Sequence, residues 1–130
     1  MGNVLLCDAV RQESMGKITL VGVLSGDILV PGFPALIQMG LYLEAYTQSD
    51  GVKDLAVEVM VADETVLHIA GRVAVVTARD PIILAPASFA LSFDGPADLA
   101  VDLVAEGHRQ RVLTKTVRAG PEANFVAGET

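Results

Sequence analysis

The fold is decided by one stretch of sequence, LAVEVMVADETVLHIAGRVAV at residues 55–75. Apolar side chains recur there at every second position, first over residues 55–61 and again over residues 67–75, with Gly71 as an interruption. An alternation of period two predicts β-strands that bury one face. The polar pair Asp63-Glu64 between the two runs favours a tight turn, although it lacks a glycine. The expected inward side chains are Leu55, Val57, Val59, Val61, Leu67, Ile69, Val73 and Val75.

The same alternation continues on both sides of this stretch. Further inward sets are Ile37, Met39, Leu41, Leu43 and Ala45; Phe89, Leu91 and Phe93; and Leu99, Val101 and Leu103. Hairpins are predicted at Ser49-Asp50-Gly51, Asp94-Gly95-Pro96 and Glu106-Gly107, because such turns need residues that tolerate a positive φ. Near the start, residues 4–11 and 17–24 flank a polar stretch that ends at Gly16, and they predict another hairpin.

Two segments with two prolines each, residues 30–34 and 79–86, interrupt this series. Proline cannot donate to a central ladder, so these segments predict crossings between two sheets. Seven or eight short strands with frequent turns predict an all-β, antiparallel sandwich of immunoglobulin-like or C2-like type. The predicted domain spans residues 1–118. Residues 119–130 form a C-terminal tail, which is expected to be flexible or to dock on a neighbouring molecule through Phe125-Val126.

The composition excludes several classes of protein. Hydrophobic residues make up 52% of the chain, which is enough for a packed core and excludes disorder. A net charge of −7 argues against nucleic acid as a partner, since phosphate binding needs clustered Lys and Arg. No run of eighteen apolar residues occurs, so no membrane partner is expected. Cys7 is the only cysteine and cannot form an intrachain disulfide. A cytoplasmic location is the resulting expectation.

No motif for catalysis, a cofactor or a transition metal is found. Ser25 lacks the flanking G-x-S-x-G pattern, and Gly16-Lys17 lacks the spacing and the following Ser or Thr of a phosphate loop. His68 and His108 have no partner His or Cys at ligand spacing. The sequence therefore predicts a protein that is not an enzyme and that binds no cofactor or transition metal.

Acidic residues at predicted strand ends support an alternative function, a small-ligand or calcium-binding sandwich. These residues are Asp50, Asp54, Asp63, Asp80, Asp94, Asp98 and Asp102. Carboxylates from several loops can hold calcium if the loops share one end of the sandwich. The competing explanation is that aspartate is a common turn residue.

The opening segment is the most concentrated polar region and supplies the candidate binding residues Asp8, Arg11, Glu13 and Asp27. On a strand, Asp8 points opposite to Arg11 and Glu13, so these side chains cannot all cluster on one face. Asp8 shares its face with apolar residues, which predicts its burial if that face is inward. Because a buried carboxylate needs a partner, a structural role is preferred over a ligand site.

The outward positions of several predicted strands are unusually small and apolar. A solvated face of an antiparallel sheet is normally polar, so such a face suggests a cover, either a second copy of the chain or another protein. The interface candidates are Met60, Ala70, Ala74, Val76 and Phe125. The competing explanation is that alanine is a harmless surface residue, and a contiguous patch requires these strands to be neighbours. The favoured hypothesis is a non-enzymatic interaction or self-assembly module, with a homo-oligomer or another protein as its complex.

A family resemblance is carried by the opening segment. Its pattern is Cys7-Asp8, Val10-Arg11-Gln12-Glu13, Gly16-Lys17, Gly22-Val23 and Gly26-Asp27-Ile28. This pattern resembles the opening of a family of short bacterial proteins defined only as a domain of unknown function. The resemblance is strong as far as Ile28 and continues loosely to Glu44-Ala45. It implies a bacterial, one-domain protein and brings no catalytic residues with it.

Overall fold

The described part of the chain forms ten β-strands in two sheets, and the alternating runs supply most of them. The structure is a computed structural model, and it describes residues 3–46, 49–77, 81–86 and 88–120. The strands are β1 (Val4–Gln12), β2 (Ile18–Val23), β3 (Ile28–Val30), β4 (Ala35–Tyr46), β5 (Gly51–Val61), β6 (Glu64–Val75), β7 (Pro81–Leu84), β8 (Phe89–Phe93), β9 (Ala97–Ala105) and β10 (His108–Ala119). A 3₁₀ turn at Ser14–Gly16 joins β1 to β2. Over the described residues, none of the helical structure has the length and apolarity that a membrane span requires.

The two sheets have five strands each. Sheet 1 has the order β2-β1-β4-β7, and β8 pairs with the first part of β4. β7 and β8 lie in line along β4, where Leu41 N donates to Pro86 O between them at 3.1 Å. Sheet 2 has the order β3-β10-β9-β5-β6. The β3–β10 pairing is parallel, and the remaining pairings are antiparallel.

The space between the sheets is filled by side chains that the alternation places inward. The main core includes Leu6, Met39, Leu41, Leu43, Val57, Val59, Phe93, Leu99, Val101 and Val117. Phe93 is the largest of the fully buried side chains. A smaller cluster of Leu55, Val75 and Ile82 lies between β5, β6 and β7. The predicted sandwich is therefore confirmed, with the parallel β3–β10 pairing as its one departure from an antiparallel design.

The described residues form ten strands instead of the predicted seven or eight. The additional strands are β3 and β7, which are three and four residues long. β3 ends at the first residue of one proline-containing segment, and β7 lies inside the other. β7 begins at Pro81 because proline is tolerated as the first residue of a strand. The predicted crossings are confirmed, since β3 and β6 belong to sheet 2 whereas β4 and β7 belong to sheet 1.

Three of the predicted hairpins are confirmed, and two are wrong. The β1–β2, β5–β6 and β9–β10 pairs are hairpins. The β5–β6 turn places Ala62 and Asp63 at positive φ, one position earlier than predicted. Ser49-Asp50-Gly51 instead leads from sheet 1 into β5, and Asp94-Gly95-Pro96 leads from β8 into β9 of sheet 2. Turn residues permit the chain to reverse, but they do not determine which sheet the next strand joins.

A bulge in β10 resets its alternation. Arg111 pairs with Asp102 and Leu113 pairs with Val101, so Val112 is an extra residue opposite β9. Because a bulge places two consecutive side chains on one side of the strand, Val112 and Leu113 both pack against the main core. Arg111, on the N-terminal side of the bulge, keeps the outward orientation of its partner Asp102.

Asp8 is exposed, although Leu6 and Val10 on the same face of β1 are buried. β1 pairs with β4 only as far as Cys7, and its remaining residues pair with β2. The Asp8 carboxyl lies directly beside Gly22 of β2, where the absence of a side chain leaves room for it at the surface. The predicted burial of Asp8 is therefore wrong.

Gly22→Ala should lower the free energy of unfolding by at least about 1–2 kcal/mol, the cost of a side chain in the left-handed region. Gly22 has a φ of +67°, and a Cβ built there would clash with the Asp8 carboxyl. Gly26→Ala is the matched control, because Gly26 has a φ of +76° but nothing within 4 Å of the built Cβ. In urea unfolding, Gly22→Ala should lose more free energy of unfolding than Gly26→Ala. Equal losses would contradict a role for the Asp8 contact.

Candidate functional site

Among the described strands, β6 has the longest open edge. β6 lies at the end of sheet 2 and, among the described strands, pairs with β5 alone. After a bulge at Val66 the pairing runs without interruption from Leu67 to Val75. In an antiparallel ladder, alternate residues point their backbone N–H and C=O groups away from the neighbouring strand. Residues 67–75 therefore present a row of backbone groups to which another strand can bind.

The other sheet edges carry features that oppose strand addition. β3 has three residues, and β2 contains Gly22 at positive φ. The edge formed by β7 and β8 begins at Pro81 and is interrupted near Pro86. Short edges and prolines are common ways in which proteins prevent unwanted pairing. Residues 67–75 of β6 have neither.

An apolar groove of about 270 Å³ adjoins the inward face of β6. Leu55, Ile69 and Val73 line it from sheet 2, and Leu84 and Pro86 line it from sheet 1. Ile69 belongs to the face that the alternation assigns to the core, yet its side chain is 38% exposed. The two sheets therefore do not close over β6, and the core remains open along this edge.

Gly71 contributes to the groove, although in the sequence it is only an interruption of the alternation. It lies opposite Leu55 on the inward face of β6 and forms part of the groove wall. Nothing lies within 4 Å of a Cβ built at this position, so open space is left where the alternation would otherwise place an apolar side chain. The interruption at Gly71 is the feature of the sequence that could have indicated the groove. A glycine inside a strand often marks a place where another backbone approaches closely.

A row of charged side chains crosses the outer face of sheet 2. The pairing register places Glu58 opposite both His68 and Asp102, and Asp102 opposite Arg111. Two adjacent carboxylates repel each other, and Arg109 relieves this by donating from one Nη1 atom to both. Its distances are 2.7 Å to Glu58 Oε1 and 3.0 Å to Asp102 Oδ2.

Further contacts complete the charged row. Arg111 Nε donates to Asp102 Oδ1 at 2.9 Å, and the His68 Nδ1 atom lies 2.8 Å from Glu58 Oε2. The Asp102 side chain is only 2% exposed. Throughout the part of the chain that the structure describes, every buried side-chain nitrogen or oxygen has a partner. The row is thus internally satisfied, and its two carboxylates are balanced by two guanidinium groups.

The charged row is poorly suited to acid–base chemistry near neutral pH. Hydrogen bonds from Arg111 and then Arg109 hold the pKa of Asp102 below its usual value, although burial opposes this. The bonds from Arg109 and His68 lower the pKa of Glu58 in the same way. A catalytic base works best when its pKa is close to the working pH. Both carboxylates are therefore ionised and already paired, which fits a role in holding the strands together.

Two groups of sheet 1 have altered pKa values, and both changes reduce reactivity. Burial raises the pKa of the Cys7 thiol, which has no exposed surface. The hydrogen bond that the Tyr42 hydroxyl donates to Glu44 raises the pKa of Tyr42 to about 12. The thiolate and the phenolate, which are the nucleophilic forms, are thus both disfavoured.

The four candidate binding residues of the opening segment do not form one site. Asp27 accepts a hydrogen bond from Arg118 Nε at 2.9 Å, which joins the start of β3 to β10. Asp8 lies beside Gly22, and Arg11 and Glu13 are exposed. Within the described ranges, no ion pair connects any of the four to another.

The interface candidates lie around the outer face of sheet 2 and the end of β6. β9, β5 and β6 are neighbours, so the condition for a contiguous patch is met. Met60 lies on one side of the charged row, whereas Ala70 and Ala74 lie on the other. Val76 follows β6 and is 85% exposed. Phe125 lies outside the described residues. The small apolar positions are therefore divided by charge, and the face is less uniformly apolar than the sequence indicated.

The acidic turns are divided between the two ends of the sandwich. The β5–β6 turn brings Asp63 to the end of the sandwich where Asp98 lies, near the start of β9. Asp54 lies at the opposite end, where its backbone O accepts from Glu106 N. Asp80 is outside the described residues, and among those described no three His, Cys, Asp or Glu side chains converge on a metal position. This arrangement gives no support to calcium binding.

A model of a family of unknown function, DUF6941, matches residues 3–118. The chain belongs to this family. No curated protein and no solved structure matches it. The DUF6941 match includes both sheets and ends within β10, so the β6 edge, the groove and the charged row are all parts of the DUF6941 domain.

Proposed function

We propose that this protein is a non-enzymatic interaction and self-assembly module of the bacterial cytoplasm, and that it binds through the open edge of β6. The observation that carries the proposal is the combination of an edge of nine residues that contains no proline and no bulge with an apolar groove beside it. Strand addition uses both features, because backbone hydrogen bonds supply affinity and pockets for alternate side chains supply specificity.

The edge is favoured over the flat outer face of sheet 2 as the binding surface. The centre of that face is closed by the charged row, whose groups are already paired with one another. A partner that covered the row would have to desolvate charges without offering them new bonds. The β6 edge has the opposite character, since its backbone groups and the side chain of Ile69 gain partners when a strand is added.

Ile69→Lys should prevent self-association and leave the fold intact. A lysine at this position places a charge at the mouth of the apolar groove, which is the way natural edge strands resist pairing. We expect the dissociation constant of the oligomer to rise at least about tenfold, equivalent to about 1.4 kcal/mol. The measurement is light scattering coupled to size exclusion at micromolar concentration, with circular dichroism to verify the fold.

Val21→Lys is the matched control for this experiment. Val21 lies on the edge strand β2 and is 39% exposed, close to the 38% of Ile69, but it is not part of the groove. It should keep the mass of the wild-type oligomer. A wild-type chain that elutes at the 13.6 kDa of a monomer would contradict self-assembly. An oligomer that survives Ile69→Lys would contradict the use of the β6 edge.

A further inference from the structure

The groove beside β6 is suited to an extended segment with one large apolar side chain. Its volume of about 270 Å³ is small, and its wall combines Ile69 and Val73 with the bare backbone of Gly71. In a strand added to β6, alternate side chains would point towards this groove. The strand that fits has a bulky apolar residue flanked, two positions away on each side, by small ones.

The sequence after Gly120 contains such a pattern. It reads PEANFVAGET over residues 121–130, where Phe125 has Ala123 and Ala127 two positions away. In a strand these three residues share one face, with a single large side chain between two methyl groups. Val126 would point to the opposite face, on the side where β6 presents Ala70.

Phe125 cannot reach the groove of its own chain. Gly120 is fixed beside β3, because its backbone N donates to Val30 O at 2.9 Å. Five extended residues span at most about 18 Å from there. Val57 marks the end of the groove that is closer to Gly120. It pairs with Leu103 of β9, and Leu103 in turn pairs with Gln110 of β10. Ten residues of strand separate Gln110 from Gly120, a distance of about 30 Å along the sheet before the width of the intervening strands is added.

We propose that the groove beside β6 binds residues 121–130 of a second copy of this chain, with Phe125 as the side chain that enters it. The proposal rests on the proposed function and deepens it by naming the occupant of the edge. The donating segment and the accepting edge are different surfaces, so the contact is heterologous. Each copy can donate its segment to one neighbour and accept a segment from another.

This division into donor and acceptor allows a complementation experiment with the full chain. Ile69→Lys blocks the accepting edge of β6 and leaves the donating residues 121–130 unchanged. Phe125→Asp alters the donating residues and leaves the accepting edge unchanged. Each variant alone should elute as a 13.6 kDa monomer. An equimolar mixture should form a complex of two chains and grow no further, because one free donor meets one free acceptor. Asn124→Asp is the control, since it adds the same charge on the opposite face of the strand and should keep the wild-type mass.

The outcomes separate this proposal from the proposed function. If Phe125→Asp keeps the wild-type mass while Ile69→Lys loses it, the β6 edge is used but its occupant is another segment, such as β6 of the second copy. Two monomeric variants that do not combine on mixing would also overturn the assignment of residues 121–130. If Ile69→Lys keeps the wild-type mass, both the proposed edge and its occupant are wrong. Circular dichroism spectra like that of the wild type are required of every variant.

Discussion

Phe93→Ala should lower the free energy of unfolding by about 3–5 kcal/mol, the usual cost of removing a buried phenylalanine. Phe93 is 2% exposed and is the largest side chain in the fully buried part of the core. The chain has four Phe, two Tyr and no Trp, so the remainder of the core is mainly aliphatic. Its neighbours are held in two hydrogen-bonded sheets, which limits how far they can move into the cavity that the missing ring leaves. Urea unfolding followed by circular dichroism gives the difference directly.

Phe89→Ala provides the comparison for this substitution. Phe89 and Phe93 lie on the same face of β8, and both contact the main core. Phe89 is only half-buried, so its removal leaves a smaller cavity that water can fill. Phe89→Ala should therefore lower the free energy of unfolding clearly less than Phe93→Ala does. Equal losses would mean that the core near Phe93 relaxes around the missing ring.

Asp102→Ala should be the most destabilising substitution of a charged residue, with a loss of about 1.5–3 kcal/mol for its bonds to charged donors. The Asp102 carboxylate accepts from both Arg109 and Arg111 and is almost fully buried. Its removal leaves Arg109 with Glu58 as its carboxylate partner and takes away the carboxylate that pairs with Arg111. Asp54→Ala is the control, because Asp54 and Arg72 are 69% and 77% exposed. An exposed pair of this kind contributes at most about 1 kcal/mol.

The contribution of Asp102 should also depend on pH in a defined direction. Its pKa is lower in the folded protein than in the unfolded chain, so the unfolded chain binds more protons between the two values. The stabilisation is therefore complete above the unfolded value of about 3.9 and is lost as the pH falls through the folded value. Glu58 acts in the same direction. Wild-type and Asp102→Ala stabilities should converge in acid, and a constant difference down to low pH would contradict the ion-pair explanation.

The strand alternation was a reliable guide where both sides of a strand have neighbours. The inward sets of residues 55–61 and 99–103 face the core as predicted because β5 and β9 each have a neighbouring strand on both sides in sheet 2. The same pattern in β6 predicted burial for Ile69, which is exposed at the edge because sheet 1 does not extend over it. Periodicity identifies the apolar face of a strand, but it contains no information about what covers that face.

The charged row could not be predicted from the sequence because it depends on strand order. The alternation of Val101 and Leu103 as inward residues places Asp102 between them on the outward face, and this is its face in the structure. Its burial results from Arg109 and Arg111, and their orientation depends on a bulge at Val112. The candidates Asp8, Arg11, Glu13 and Asp27 were grouped by closeness in sequence, whereas the partner of Asp27 lies 91 residues away at Arg118.

The parallel pairing of β3 with β10 has a consequence for the synthesis of the protein. Asp27 leaves the ribosome 91 residues before Arg118, and bacterial or eukaryotic translation takes roughly 5–20 s to cover that length. Throughout this interval β3 has no described strand to join, and β9, once it has been synthesised, has β5 on one side and still lacks β10 on the other. Non-local pairings of this kind form slowly even in a complete chain. Sheet 2 can therefore close only after β10 has been synthesised, and nascent chains that stop before β10 leave the apolar inner face of this sheet open to chaperones and proteases.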